Sequence, residues 1–176
     1  MINKVGGASA EALVGIREQI HENNVKAEVV EADLEILVDQ PEAILGKRVL
    51  AVEDGPTLTH GEMSFGAGTL AARRFGAREI VDPRPFAVGS LAAAYLRFPH
   101  LGPVVPALGY SAHQCQELQQ TIDRCGADVI VDASPCRLNR ILDLNTRLVR
   151  VSYEFRQVSG PSLFESINSK ISLARH

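Results

Sequence analysis

The sequence predicts an α/β protein: a three-layer, mostly parallel sheet with helices on both faces, Rossmann-like in plan. Three observations carry this. Short aliphatic runs alternate with stretches of helical period along the chain, the mark of successive strand–helix–strand units. Several runs are continuously apolar rather than alternating, as strands buried on both faces are. Capping residues mark where the intervening helices start and stop.

The predicted strands are residues 27–30, 48–52, 79–81, 104–107, 127–131 and 148–153. Between them, Ser9 caps a helix with Leu13, Ile16 and Ile20 on one stripe. Ser111 and Gln114 make a capping-box pattern before Cys115, Leu118, Ile122 and Cys125, and Gly126 stops that helix. Ser134-Pro135 reads as an N-cap followed by a first-turn proline. Ser162 and Glu165 form a second capping box ahead of Phe164, Ile167 and Ile171. This divides the chain into an α/β domain over 1–155 and a linker (156–161) with a terminal helix up to 176.

The composition excludes several classes. The 176 residues are 45% hydrophobic and 22% charged, average for a globular chain and long enough to bury a core. Aromatics are 5% and Trp is absent, so that core is aliphatic. Eighteen Lys and Arg against 21 Asp and Glu give a net charge of −3, which argues against a nucleic-acid-coating protein. No apolar run reaches membrane-span length and no secretory signal is visible, so no membrane partner is expected. The three cysteines, Cys115, Cys125 and Cys136, are odd in number and lack zinc spacing, which fits a reducing cytoplasm. An aliphatic-rich sheet with a free terminal helix makes a homodimer plausible.

In open parallel sheets, ligands bind at the carboxyl ends of the strands. The unusual residues of this chain gather there. Glu53 and Asp54 are adjacent carboxylates suited to Mg²⁺, directly or through water. Thr57, Thr59 and His60 are phosphate-sized donors, and Gly55 and Gly61 let the backbone approach a ligand. The competing reading makes Asp54-Gly55-Pro56 a plain turn. Gly66, Gly68 and Ala71 match G-x-G-x-x-A at a helix start, where free amides suit phosphate, or else close helix–sheet packing. They follow no strand directly, so a phosphate seat is the better expectation than an NAD(P) site. Asp82-Pro83-Arg84-Pro85 is stiff and pre-aims Arg84 at an anion. His100, Arg73, Arg74, Arg137 and Arg140 read first as structural or solvated. No nucleophile elbow, H-E-x-x-H or G-x-x-x-x-G-K-[ST] loop is present.

Long motifs in this order resemble the cyclic 2,3-diphosphoglycerate synthetase family. They are Val52-Glu53-Asp54-Gly55-Pro56-Thr57-Leu58-Thr59-His60-Gly61, Phe65-Gly66-Ala67-Gly68 and Ile80-Val81-Asp82-Pro83-Arg84-Pro85-Phe86-Ala87-Val88-Gly89-Ser90. Pro99-His100-Leu101-Gly102, Pro106-Ala107-Leu108-Gly109-Tyr110-Ser111 and Arg150-Val151-Ser152-Tyr153-Glu154 continue the match, which covers Asn3 to about Glu154. The resemblance implies the C-terminal part of a P-loop, ATP-dependent synthetase with Mg²⁺, whose relatives include GTPase-like proteins. Asn3-Lys4-Val5 resembles the end of an N-K-x-D base motif with Gly6 in the last place, and Glu62 stands where a glycine is expected. Without a P-loop, the chain is expected to need a P-loop partner for ATP (or GTP) chemistry.

On both readings, Glu53 and Asp54 are the metal ligands. Gly55, Thr57, Thr59, Gly61, Gly66, Gly68 and Asp82 bind a phosphorylated substrate or nucleotide. His60 and Arg84 are the catalytic pair, with Arg84 neutralising charge and His60 donating a proton or simply binding. A non-catalytic sensing or assembly module and an NAD(P)-binding domain remain the alternatives.

Overall fold

The computed structural model describes residues 1–173. Its helices are α1 (Ala10–Asn23), α2 (Gly55–His60), α3 (Ala67–Arg74), α4 (Gly89–Arg97), α5 (Ala112–Cys125) and α6 (Leu163–Leu173). Its strands are β1 (Glu31–Val38), β2 (Arg48–Asp54), β3 (Glu79–Ile80), β4 (Val105–Ala107), β5 (Val129–Asp132) and β6 (Arg147–Ser159). The six-stranded sheet runs β1-β6-β5-β2-β3, with β4 also paired to β2. β2 is parallel to β3, β4 and β5, and β5 is parallel to β6.

Among the described residues the chain forms two compact units, residues 36–152 and residues 1–35 with 153–173. In the larger unit, the strand period of two sorts the core onto two faces. Leu50, Val52 and Ile130 pack with Leu91 of α4 and with Leu118, Ile122 and Cys125 of α5. Val49, Val129, Val131 and Val149 pack with Ala67, Ala71 and Ala72 of α3. Helices therefore cover both faces, and the expected three-layer α/β fold is present. In the smaller unit, Ile2 bridges Glu31, and Glu31 holds Arg17 of α1 and the Ser159 hydroxyl (2.7 Å).

Local signals account for several helix ends. Ser9 accepts the Ala12 amide at the start of α1. Ser111 and Gln114 complete their capping box on α5, and Gly126 closes that helix in the left-handed region at φ 58°. Ser162 accepts the Glu165 amide (3.3 Å) at the start of α6.

Three expectations are corrected. Residues 27–30 form no strand; the strand begins at Glu31. Ser134-Pro135 starts no α-helix, because Ser134 gives both its N–H (2.9 Å) and its hydroxyl (2.6 Å) to Asp132. Residues 156–159, read as a linker, continue β6 to Ser159.

Candidate ligand site at the strand carboxyl ends

Beyond the ends of β2 and β4 lies a cavity of about 360 Å³, within the range of small-molecule sites. Its polar groups come from Thr59 and His60 of α2 and from Ser90 and Arg97 of α4. Ser90, Ala93, Ala94 and Arg97 stand at i, i+3, i+4 and i+7 on α4, so one helix face forms a wall with a hydroxyl at one end and a guanidinium at the other. The two alanines leave the space. Arg97 lies over the Phe98 ring at 5.2 Å and makes no ion pair among the described residues. Among those residues the lining carries no Asp or Glu.

His60 is oriented by its neighbour. Thr59 donates its only hydroxyl proton to the Gly55 carbonyl at 3.0 Å. Its contact with His60 Nδ1, also 3.0 Å, must then run from an Nδ1–H to the Thr59 oxygen. In a neutral ring this leaves Nε2 as an acceptor. Gly55 and Gly61 are demanded by close backbone contact: a Cβ would strike the Ala107 carbonyl at Gly55 and the Thr57 carbonyl at Gly61.

The remaining expected site residues are engaged elsewhere. Glu53, 2% exposed, faces α3. One carboxylate oxygen accepts from the Gly66 N–H (3.1 Å), the Thr69 N–H (2.8 Å) and the Thr69 hydroxyl (3.0 Å). The other accepts from the Gly68 N–H at 3.0 Å. Burial pushes the Glu53 carboxyl up, and these hydrogen bonds oppose that. The amides read as a phosphate or dinucleotide seat are thus filled by the chain's own carboxylate. Gly66 and Gly68 are small because Glu53 lies 2.6 and 3.2 Å from where their Cβ atoms would be.

Asp54 points to the opposite face of β2 and caps α2, accepting the Thr57 N–H (3.3 Å) and hydroxyl (2.5 Å). Glu53 and Asp54 are therefore split between two helix starts and do not fit one magnesium ion. No cluster of three or more metal-ligating side chains occurs among the described residues. Arg84 is clamped on Asp82, through Nε at 2.9 Å and a terminal nitrogen at 2.6 Å, and lines no part of the cavity. That contact holds the Asp82 carboxyl below its usual range. His100 donates from Nε2 to the Leu58 carbonyl (2.9 Å), a structural tie. Arg73 lies over the Phe65 ring.

Sequence reasoning found Gly55, Thr59 and His60 of the cavity but missed Ser90, Arg97 and the wall between them. The signal was available: a hydroxyl, two alanines and an arginine at helical spacing.

The structure is thus an α/β fold, its sheet mostly parallel, with a cavity over the strand ends, where ligands bind in this architecture. Comparison with known proteins narrows this. The chain is 50% identical over 165 residues to the arginine synthetase ArcE of Thermococcus kodakarensis. The matched stretch is 94% of this chain but 37% of the relative, so the chain spans little more than a third of that protein's length. The similarity is thus to a synthetase, and it does not single out cyclic 2,3-diphosphoglycerate formation. No family model matches, and no solved structure matches. Among the described residues no helix is long and apolar enough to cross a membrane.

Proposed function

We propose that this chain is the ligand-binding part of an ATP-dependent synthetase, and that it holds a phosphorylated acid in the cavity beyond β2 and β4. The observation that carries this is the lining, which holds a guanidinium and an imidazole and, among the described residues, no Asp or Glu of its own. Arg97, stacked on Phe98, offers a planar fork to phosphate. His60 is the imidazole of the lining, and with Nδ1–H on the Thr59 oxygen a neutral ring would take a proton from an attacking oxygen at Nε2. The nucleotide's phosphates would be handled by a P-loop supplied from outside this chain, since the α3 amides already hold Glu53.

Two substrates follow as candidates. The family resemblance suggests 2,3-diphosphoglycerate closing to a cyclic phosphoanhydride. The relative's name suggests arginine. The cationic lining favours the phosphorylated acid, because an arginine side chain would meet Arg97.

The test is a thermal-shift titration of the chain with 2,3-diphosphoglycerate, ATP, GTP and arginine, each with and without Mg²⁺. A ligand at a hundred times its dissociation constant adds about 2.7 kcal/mol. For a chain of this size that is a rise of roughly 5–10 °C. A shift with the phosphorylated acid that disappears in Arg97→Met supports the reading. A shift that survives both Arg97→Met and His60→Gln, or none with any phosphorylated acid, refutes it.

A further inference from the structure

One wall of the cavity beyond β2 and β4 is built on α4, and the start of that helix is held from behind by α5. Glu117 and Thr121 lie one turn apart on α5. The Thr121 hydroxyl oxygen accepts the Val88 N–H at 3.4 Å, and one Glu117 oxygen accepts the Ser90 N–H at 3.1 Å. Gly89 lies between them in the left-handed region at φ 52°, with the Glu117 carboxylate in the space a Cβ would need. The other Glu117 oxygen is 3.1 Å from His113 Nε2. The hydrogen bonds from Ser90 hold the Glu117 carboxyl below the usual carboxylate range, so at neutral pH it is ionised and only accepts.

This decides what Ser90 can offer a ligand. Its hydroxyl has one proton, and that proton goes to Glu117 at 2.5 Å. No group among the described residues donates to the Ser90 oxygen. Ser90 lines the cavity, so a ligand at the start of α4 meets a lone pair and not a donor. Thr59 has no proton to offer either, since it donates to the Gly55 carbonyl. Ser90 and Arg97 stand about two helical turns apart on the wall, so a phosphate held by Arg97 does not also sit on Ser90.

We infer that Glu117 is a positioning residue for this cavity: by holding the Ser90 proton it makes Ser90 an acceptor, and so selects a ligand that brings a free hydroxyl to the start of α4. Glu117 itself lines no part of the cavity and acts through Ser90. The inference rests on the proposed function and narrows it, from a phosphorylated acid to a phosphorylated hydroxy acid.

The test is calorimetric titration of the whole chain at pH 7 with two probes, 3-phosphoglycerate and 3-phosphohydroxypyruvate, in which a ketone oxygen replaces the hydroxyl. An acceptor brought against an acceptor leaves both unpaired, so the parent is expected to bind the hydroxy acid at least about tenfold more tightly. In Glu117→Ala the Ser90 proton is released and can turn to the ketone. The gap should then close to within about twofold, through tighter binding of the keto acid. Glu117→Gln keeps an oxygen for the Ser90 N–H and hydroxyl and should retain the gap. Ser90→Ala should close it from the other side, through weaker binding of the hydroxy acid. A Glu117 that only braced the helix would shift both probes together in Glu117→Ala and leave their ratio unchanged, which would overturn the inference. Equal affinity of the parent for the two probes would overturn it too and leave the proposed function standing, whereas binding of neither probe would overturn both. Should Glu117→Ala fail to fold, Ser90→Ala decides, and an undiminished gap there refutes the selection.

Discussion

Asp132→Asn is the substitution that most directly tests how the strand-end loops are held. Asp132 is fully buried and organises the turn after β5 with both oxygens. Oδ1 accepts the Ser134 N–H and hydroxyl, and Oδ2 accepts the Arg150 guanidinium (2.6 Å) and the Leu138 N–H (3.4 Å). Asparagine replaces one oxygen by an NH₂. Whichever way the amide lies, donors then face a donor, and the Arg150 charge loses its counter-charge. Removing one partner of a buried pair costs about 3–5 kcal/mol; asparagine keeps one accepting oxygen, so about 3 kcal/mol is expected. For a chain of this size that is a fall in Tm of roughly 6–12 °C. The assay is thermal unfolding at pH 7 beside Asp54→Asn, where asparagine is itself a good N-cap and the expected change is near zero. If Asp132→Asn stayed within about 2 °C of the parent, the buried network would not be what holds this loop.

Other consequences are measured in the same way. Gly66→Ala would set a Cβ 2.6 Å from the Glu53 carboxylate, against 3.2 Å for Gly68→Ala. The first should cost about 2–3 kcal/mol and the second about 1 kcal/mol, read as Tm, and the reverse order would contradict the packing of Glu53 on α3. Arg84→Met removes the clamp on Asp82, a pair 48% and 39% exposed, so its loss costs no more than about 1 kcal/mol. The Asp82 carboxyl is held below its ordinary value of 3.8, so the pair's contribution is present above that pH and fades as pH falls through the lowered value. The parent and Arg84→Met should therefore differ at pH 7 and converge in acid; a gap that widened in acid would invert the assignment.

What was legible in the sequence follows from which signals are local. Strands such as β2 and β5 are built on continuous apolar runs (Val49–Val52, Val129–Val131) and were readable from them. β1 was not, because Glu31, Asp33 and Glu35 alternate with Ala32, Leu34 and Ile36, a period-two pattern suited to the edge of the sheet, where the strand lies. Capping at Ser9 and Ser111 depends on residues three apart and was read correctly. Ser134 has the same local chemistry, but Asp132 outcompetes the helix for its N–H and hydroxyl. The same limit applies at the site. The strand-end rule pointed to Gly55, Thr59 and His60. It could not reveal that Glu53 turns onto α3, thirteen and more residues along the chain, or that α4 brings Arg97 over the same cavity.

The placement of the acidic residues bears on how an anion would be recognised. Helix starts are the usual anion seats of this architecture, yet two of them are already occupied from within. Glu53 accepts the first amides of α3. Glu117 of α5 accepts the Ser90 N–H (3.1 Å) and hydroxyl (2.5 Å) at the start of α4, and its carboxylate fills the space where a Cβ at Gly89 would lie. With those dipoles answered internally, an incoming anion beyond β2 and β4 has to be held by side chains, and Arg97 is the fully charged one in the lining. Arg97→Lys discriminates between the two modes. Lysine keeps the charge but loses both the stacking on Phe98 and the paired donors of the fork. A ligand held by a helix start would bind Arg97→Lys as it binds the parent. A phosphate held by the guanidinium should lose about tenfold in affinity, or about 1.4 kcal/mol, with Tm in the absence of ligand unchanged.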